Sequence, residues 1–210
     1  MANRRMGARP GTKSRFLKTE GDRGKFNLLL HIHAHGSATS CTRRPDPMTL
    51  HKIVSGGQTG VDRAALDAAQ AHGVPVGGWC PRGRRAEDGR IPARYPLEET
   101  PTNDYAQRTA WNVRDSDGTL LIAPAPLRGG TALTLEEAET RGRPVHHVRP
   151  TDLASVRTIR AWAAENEVRV LNVAGPRASE ADGIYDQARA ILDAFLLALP
   201  RADAPRENPE

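Results

Sequence analysis

Three short segments of this 210-residue chain place glycines where the backbone must turn and a ligand could come close. The first is Ser55-Gly56-Gly57-Gln58-Thr59-Gly60-Val61-Asp62-Arg63, directly after the β-branched pair Ile53-Val54. Glycine adopts positive φ without a Cβ penalty and lets main-chain N–H groups approach a ligand. The unpaired N–H groups that open the following helix favour an anion. Asp62 suits the positive end of that helix, and it could equally accept a hydrogen bond from a ligand hydroxyl or ring nitrogen. The second segment is Leu127-Arg128-Gly129-Gly130-Thr131, where Thr131 can cap a helix or donate to a phosphate. The third is Asn172-Val173-Ala174-Gly175-Pro176-Arg177-Ala178-Ser179. Arg177 can fork onto a phosphate or carboxylate, and Ser179 can cap a helix beginning near Glu180. One glycine turn after a strand is ordinary. Three in one sheet, two with an adjacent Arg, are expected if all face one polyanionic ligand. No segment reads GxGxxG or GxxxxGK[ST], and neither HExxH nor GxSxG occurs, which disfavours P-loop, metalloprotease and serine-hydrolase chemistry.

Two further stretches hold polar and aromatic groups. Residues Gly77 to Gly89 bring Trp79, a flat face for stacking a ring, together with the charges of Arg82, Arg84 and Arg85. Cys80, without a His nearby in sequence, reads as a small buried apolar residue rather than a nucleophile. Arg108 to Gly118 carries Asp115 and Asp117 just before an apolar run, where an Asx turn is expected.

The elements that must position these groups alternate. Leu50 to Ser55 reads as a strand, Val61 to His72 as a helix stopped by Gly73, and Val74 to Gly77 as a short strand. Trp79 to Pro101 is rich in Gly, Pro and Arg and reads as a long loop. A helix over Asn103–Val113 precedes the strongest strand, Gly118–Ala123. Then follow a helix over Thr131–Arg141 ended by Gly142, a strand over Pro144–Val148, and a helix over Thr151–Glu165 capped by Thr151 or Asp152. The last strand is Val168–Val173 and the last helix Ala181–Leu199. Such alternation predicts an α/β domain, a Rossmann-like parallel sheet with helices on both faces. Its ligands sit beyond the carboxyl ends of the strands. That domain spans 48–200. A basic extension over 1–47 and a tail over 201–210 are expected to be disordered or loosely attached.

Charge follows the same division. Ten of the 30 Lys and Arg residues but only three of the 25 acids fall within 1–47, so the +5 net charge belongs to the extension. The folded part offers no charge footprint for nucleic acid. No apolar stretch approaches the roughly 20 residues of a bilayer span, and a cytoplasmic location is expected. Two cysteines, Cys41 and Cys80, are too few for a disulfide framework. His31, His33 and His35 would share one face only in a strand, so a metal site is not expected there.

Six motifs stand here in order: IVSGGQTGVDRAALDAA, GGWCPRGRRAEDG, YPLEET, NVRDSDGTL, GGT and NVAGPRAS. By them the chain resembles the putative molybdenum carrier family over Lys52 to Leu199. The resemblance implies a fold like that of LOG proteins and molybdenum-cofactor carriers, binding of molybdenum cofactor (molybdopterin) or a nucleotide, and a homo-oligomer. The binding residues it and the glycine turns single out are Gly56, Gly57, Gln58, Thr59, Gly60, Asp62, Arg63, Trp79, Arg82, Arg85, Gly129, Gly130, Thr131, Gly175, Arg177 and Ser179. The same superfamily contains phosphoribohydrolases with PGGxGTxxE, so the alternatives are cleavage of a nucleotide N-glycosidic bond, with Asp62, Glu136 and Glu137 as candidate acids, or a nucleotide-sensing module. Arg128 stands where those enzymes have Pro, and one extra residue precedes Thr134-Leu135-Glu136-Glu137.

Overall fold

The computed structural model describes residues 49–200. The expectations for 1–47 and 201–210, including the His31, His33 and His35 triplet and Cys41, lie outside the described residues. Within them the order is β1 (Lys52–Val54), α1 (Val61–Ala71), β2 (Val76–Gly77), β3 (Trp79–Cys80), β4 (Arg85–Ala86), β5 (Gly89–Arg90) and β6 (Glu98–Glu99). Then come α2 (Tyr105–Arg114), β7 (Gly118–Ile122), α3 (Gly129–Thr140), β8 (Val145–Val148), α4 (Ser155–Glu165), β9 (Val170–Ala174) and α5 (Ile184–Leu197). A 3-10 turn, Ala178–Glu180, lies between β9 and α5. No described helix is long and apolar enough to cross a membrane.

Five strands form one parallel sheet in the order β2-β1-β9-β7-β8. Taken with β9 first, the same sheet runs third-second-first-fourth-fifth, the order of a doubly wound nucleotide-binding half. The chain is therefore that topology opened at a different loop. The strand order reverses between β9 and β7, so the crevice of such a sheet belongs at their carboxyl ends.

Alternation along the strands sends different chemistry to the two faces. Ile53, Leu120, Ile122, Leu171 and Val173 join an apolar core with Val61, Ala65 and Ala68 of α1, Ile159 of α4, and Ile191, Leu192 and Phe195 of α5. The intervening Thr119 and Asn172 are buried toward the other face and bonded to each other, Asn172 Nδ2 donating to Thr119 Oγ1 at 3.2 Å. On that face α2 packs against α3, and the buried side chains of both are largely polar: Thr109, Asn112, Thr131 and Thr134.

The stretch expected as a loop over Trp79–Pro101 is a built cover. It holds a two-stranded parallel pair, β3 with β6, and an antiparallel hairpin, β4 with β5. Strands of two residues leave no readable period, which is why the sequence shows only Gly, Pro and Arg there. The Arg84 guanidinium organises the cover by donating to the carbonyls of Ile91, Leu97, Pro92 and Tyr95 at 2.9–3.1 Å. A second core of Leu66, Cys80, Ile91, Tyr95 and Leu97 lies beneath. Asp67 of α1 pins the cover's edge, accepting from Tyr95 Oη and from Tyr185 Oη of α5, each at 2.8 Å. Burial first, and then the neighbouring Asp67 carboxylate, push the Tyr95 phenol up to about 12.

Helix starts depart furthest from expectation at α4 and α5, while α2 begins two residues later and α3 two residues earlier than expected. α4 begins at Ser155 rather than Thr151, because residues before it form turns in which Ser155 N donates to Asp152 O. Asp152 Oδ1 accepts from Ala154 N at 3.0 Å, one residue ahead of the helix. α5 begins at Ile184 after Gly183, whose φ of 67° breaks it from the 3-10 turn, so Ser179 does not cap it.

Candidate functional site

The glycine corners after β1, β7 and β9 leave neighbouring strands at one edge of the sheet. The corner after β9 is the hub. Gly175 is required by close packing: a Cβ there would stand 2.4 Å from Ile122 O and 2.6 Å from Val61 Cγ2. Gly60, at φ 75°, lies on the same corner, with its Cβ position 2.5 Å from Pro176 O. Ala178 N donates to Thr59 Oγ1 at 3.1 Å, tying the two corners together.

Across the hub lies the corner after β7. Between them opens a cavity of about 490 Å³ lined by Ala123, Pro124, Ala125, Pro126, Arg128, Gly129, Thr131, Pro176 and Glu180. This volume lies within the range of small-molecule sites. It occupies the point where the strand order reverses. A second cavity of about 380 Å³ shares Pro124 and Ala125 with the first and extends to Arg149, Thr151, Asp182 and Gln187. The peptide between Ala125 and Pro126, in the first wall, is cis.

The first corner is closed. Gly56, Gly57, Gln58 and Gly60 are buried. Gln58 N donates to Asp62 Oδ2, Thr59 N to Gln58 Oε1, Val61 N to Pro176 O and Arg63 N to Gln58 O. Ile91 and Leu97 of the cover press on Gly57. Asp62, 3% exposed, pairs with Arg108 of α2 at 3.3 Å. The Arg108 guanidinium lies so tightly on Gly56 that a Cβ there would fall 1.8 Å from Nη1. Arg108 Nε finds no hydrogen-bond partner among the described residues. Burial pushes the Asp62 carboxyl up, against the opposing pull of Arg108 and of the Gln58 N–H.

The corner after β7 is open. Arg128, Gly129 and Gly130 are exposed, and neither glycine N–H donates to an acceptor among the described residues. Thr131 does not cap α3. It is buried in the first helical turn, where its N–H reaches Arg128 O.

The remaining predicted residues lie elsewhere. Trp79 donates from Nε1 to Asp115 at 2.7 Å and meets Trp111 edge-on, with centroids 4.6 Å apart. Arg82 and Arg85 are exposed on the cover, and Arg85 pairs across the hairpin with Arg90. None of the three lines either cavity. Glu136 and Glu137 sit two turns into α3, roughly 11 Å from its start, and Glu137 is paired with Arg141. Asp115 and Asp117 do not form the expected Asx turn: Asp117 Oδ2 accepts from Arg169 N and Val170 N, fastening the start of β9. Cys80 is fully buried, and burial raises its thiol, so it offers no nucleophile.

Sequence reasoning met Arg128 only as the neighbour of a glycine turn and passed over Glu180, Glu87 and Asp88, all of which matter at this edge. Arg128 and Glu180 line the cavity, and Glu180 Oε1 pairs with Arg177 Nε at 3.1 Å. Glu87 and Asp88, at the tip of the β4–β5 hairpin, reach the closed corners. Glu87 accepts from Thr59 Oγ1, from Ser179 Oγ and, at 3.3 Å, from Ser179 N. Asp88 takes both Arg63 Nη groups, at 2.5 and 2.7 Å. An acidic pair beside a hairpin glycine was the only available sign.

The geometry has counterparts among known proteins. The family model described as "Circularly permutated YpsA SLOG family" matches residues 53–196. A crystal structure of a "Putative molybdenum carrier protein" from Syntrophus aciditrophicus SB is 47% identical, with a TM-score of 0.69. The match covers 71% of this chain and 96% of that one. No curated protein is similar at the same stringency.

Proposed function

This chain belongs to the circularly permuted YpsA SLOG family, and on that footing we propose that it binds a small phosphorylated heterocycle between β7 and β9, as a carrier. Molybdenum cofactor and nucleotides are the ligands of that chemistry. The observation that carries the reading is the 490 Å³ cavity at the strand-order reversal, with an open glycine-headed helix on one wall. Gly129 and Gly130 N–H groups, the α3 dipole and Arg128 hold a phosphate there. The adjoining cavity, with Arg149, Thr151 and Gln187, receives the ring. The corner of Gly56 to Asp62, roofed by the cover and with its Gln58, Thr59 and Val61 amides spent on protein acceptors, acts indirectly by fixing the Pro176–Ser179 turn. The likeness to a protein named as a molybdenum carrier supports the choice of cargo.

Isothermal titration of the protein with AMP, GMP and molybdopterin tests the proposal. Submillimolar binding of at least one is expected, weakened about tenfold by Arg128→Ala, the equivalent of one charge-assisted contact. Absence of binding by all three removes it. Hydrolysis of an N-glycosidic bond has one observation in its favour, the Glu180 carboxylate in the cavity wall. Release of free base from the same nucleotides, lost in Glu180→Gln, would establish that reading instead. Sedimentation with and without ligand tests the homo-oligomer.

A further inference from the structure

The Glu87 carboxylate is held as a bound anion would be. Ala178 N occupies an acceptor lobe of Thr59 Oγ1, so the hydroxyl proton turns to Glu87 Oε1. Ser179 N donates to the same oxygen at 3.3 Å, and Ser179 Oγ to Oε2. Arg177 Nε stands 4.0 Å from Oε2. Hydroxyl, amide and guanidinium donors converging on one oxyanion are the recognition set of a phosphate group.

The hairpin carrying Glu87 is anchored at its base; beyond Ala86, which packs on the second core, the tip is held by polar contacts, among them Glu87 N donating to Gln58 Oε1 at 2.9 Å. Arg84 fixes the base through four carbonyls, and Ile91 inserts into the second core. Beyond them Arg85 and Glu87 to Arg90 are exposed, and the strands are two residues each. Gly89 (φ 114°), at the tip, has nothing within 4 Å of its Cβ position, whereas Gly83 N at the base donates to Glu99 Oε2 at 2.6 Å, so any swing belongs to the tip. The bidentate Arg63–Asp88 pair also ties the tip, and swinging it outward exchanges that pair for solvent. The donor set adjoins the cavity, since Pro176 and Glu180 of the same turn line it.

We propose that Thr59 Oγ1, Ser179 N and Oγ and the Arg177 guanidinium form a phosphate subsite, which Glu87 fills as a displaceable plug. A phosphate group entering from the cavity expels the carboxylate and swings the β4–β5 tip outward. The inference rests on the crevice reading for what the phosphate belongs to, and on the donor geometry for its chemistry.

Pyrophosphate, as a probe, separates the two. Glu87→Ala binds it at least tenfold more tightly than the native chain, and adding Ser179→Ala abolishes the gain. Glu87→Gln, which keeps one acceptor for Thr59, falls between. Equal affinity of Glu87→Ala and native protein overturns the plug. If Glu87→Ala does not fold, hydrogen exchange on the native chain decides: amides of residues 84–91 exchange faster with saturating pyrophosphate, whereas unchanged or slower exchange overturns the proposal. Nucleotide binding with no pyrophosphate gain in Glu87→Ala sinks the plug and leaves the crevice ligand standing. A pyrophosphate gain without nucleotide or molybdopterin binding does the reverse.

Discussion

The corner after β1 and the corner after β7 both follow a parallel strand, open a helix and carry paired glycines, yet different things lie above them. At Gly57 a methyl would meet Leu97 Cδ1 at 2.5 Å, and at Gly60 the Pro176 carbonyl oxygen at 2.5 Å. At Gly130 it would meet nothing within 4 Å. The first corner is roofed by the cover of residues 79–101, and its Gln58, Thr59 and Val61 N–H groups are spent on Asp62, Gln58 and Pro176. The second faces a cavity, with its two glycine amides lacking an acceptor among the described residues. Glycine after a strand thus serves close packing in one place and access in another. What decides is the segment that folds over it, which lies far away in sequence.

Breaking the closed corner should cost most. Gly60→Ala sets a Cβ at φ 75°, ψ −129° against backbone, and a destabilisation of about 3 kcal/mol or more is expected from strain and overlap combined. Urea unfolding measures it, and a loss below about 1 kcal/mol would mean the two corners are not locked together. Next is the roof. Arg84→Ala removes a donor from four carbonyls, of which Pro92 O and Tyr95 O keep a backbone N–H, for about 2–3 kcal/mol. Arg84→Lys recovers only part, because an ammonium lacks the planar fork. The open corner should be nearly indifferent: Gly130→Ala changes stability by less than about 1 kcal/mol, in the stabilising direction, since alanine is the better helix former.

The main sheet and its helices were legible because their periods are long enough to show. β7 is five consecutive buried residues, and α5 repeats Ile184, Ala188, Ile191, Leu192 and Phe195 at helical spacing. The glycine corners were legible as turns after strands. Their division of labour was not, since the roof has no period and its contacts span 28 residues from Thr59 to Glu87 and 92 from Glu87 to Ser179. Arg84 illustrates the same limit. As a letter it is one of five arginines in the stretch 79–101, while in the fold its φ of 53° and inward guanidinium make it the roof's keystone. Trp79 likewise offered a stacking face in sequence but spends its ring on Trp111 and Asp115.

Protonation sharpens the comparison with the smallest expected effect, because the carboxylates at the two depths shift in opposite directions. Burial tends to raise Glu87, but hydrogen bonds from Ser179 and Thr59 outweigh it and hold the carboxyl below its ordinary 4.5. Arg63 holds Asp88 below its ordinary 3.8. A group with a lowered folded value stabilises above its unfolded value, and that contribution fades as pH falls through the folded one. Asp62 is raised instead, so its contribution is present below 3.8 and is lost as pH rises through its folded value. Acid therefore loosens the hairpin tip while it relieves the buried Asp62 under Gly56. Stability followed by urea unfolding from neutral pH downward should lose less on acidification in Glu87→Gln than in the native chain. In Asp62→Asn it should lose more, because the compensating gain from protonating Asp62 is gone. If both variants trace the native profile, neither carboxylate is coupled to folding as its surroundings require.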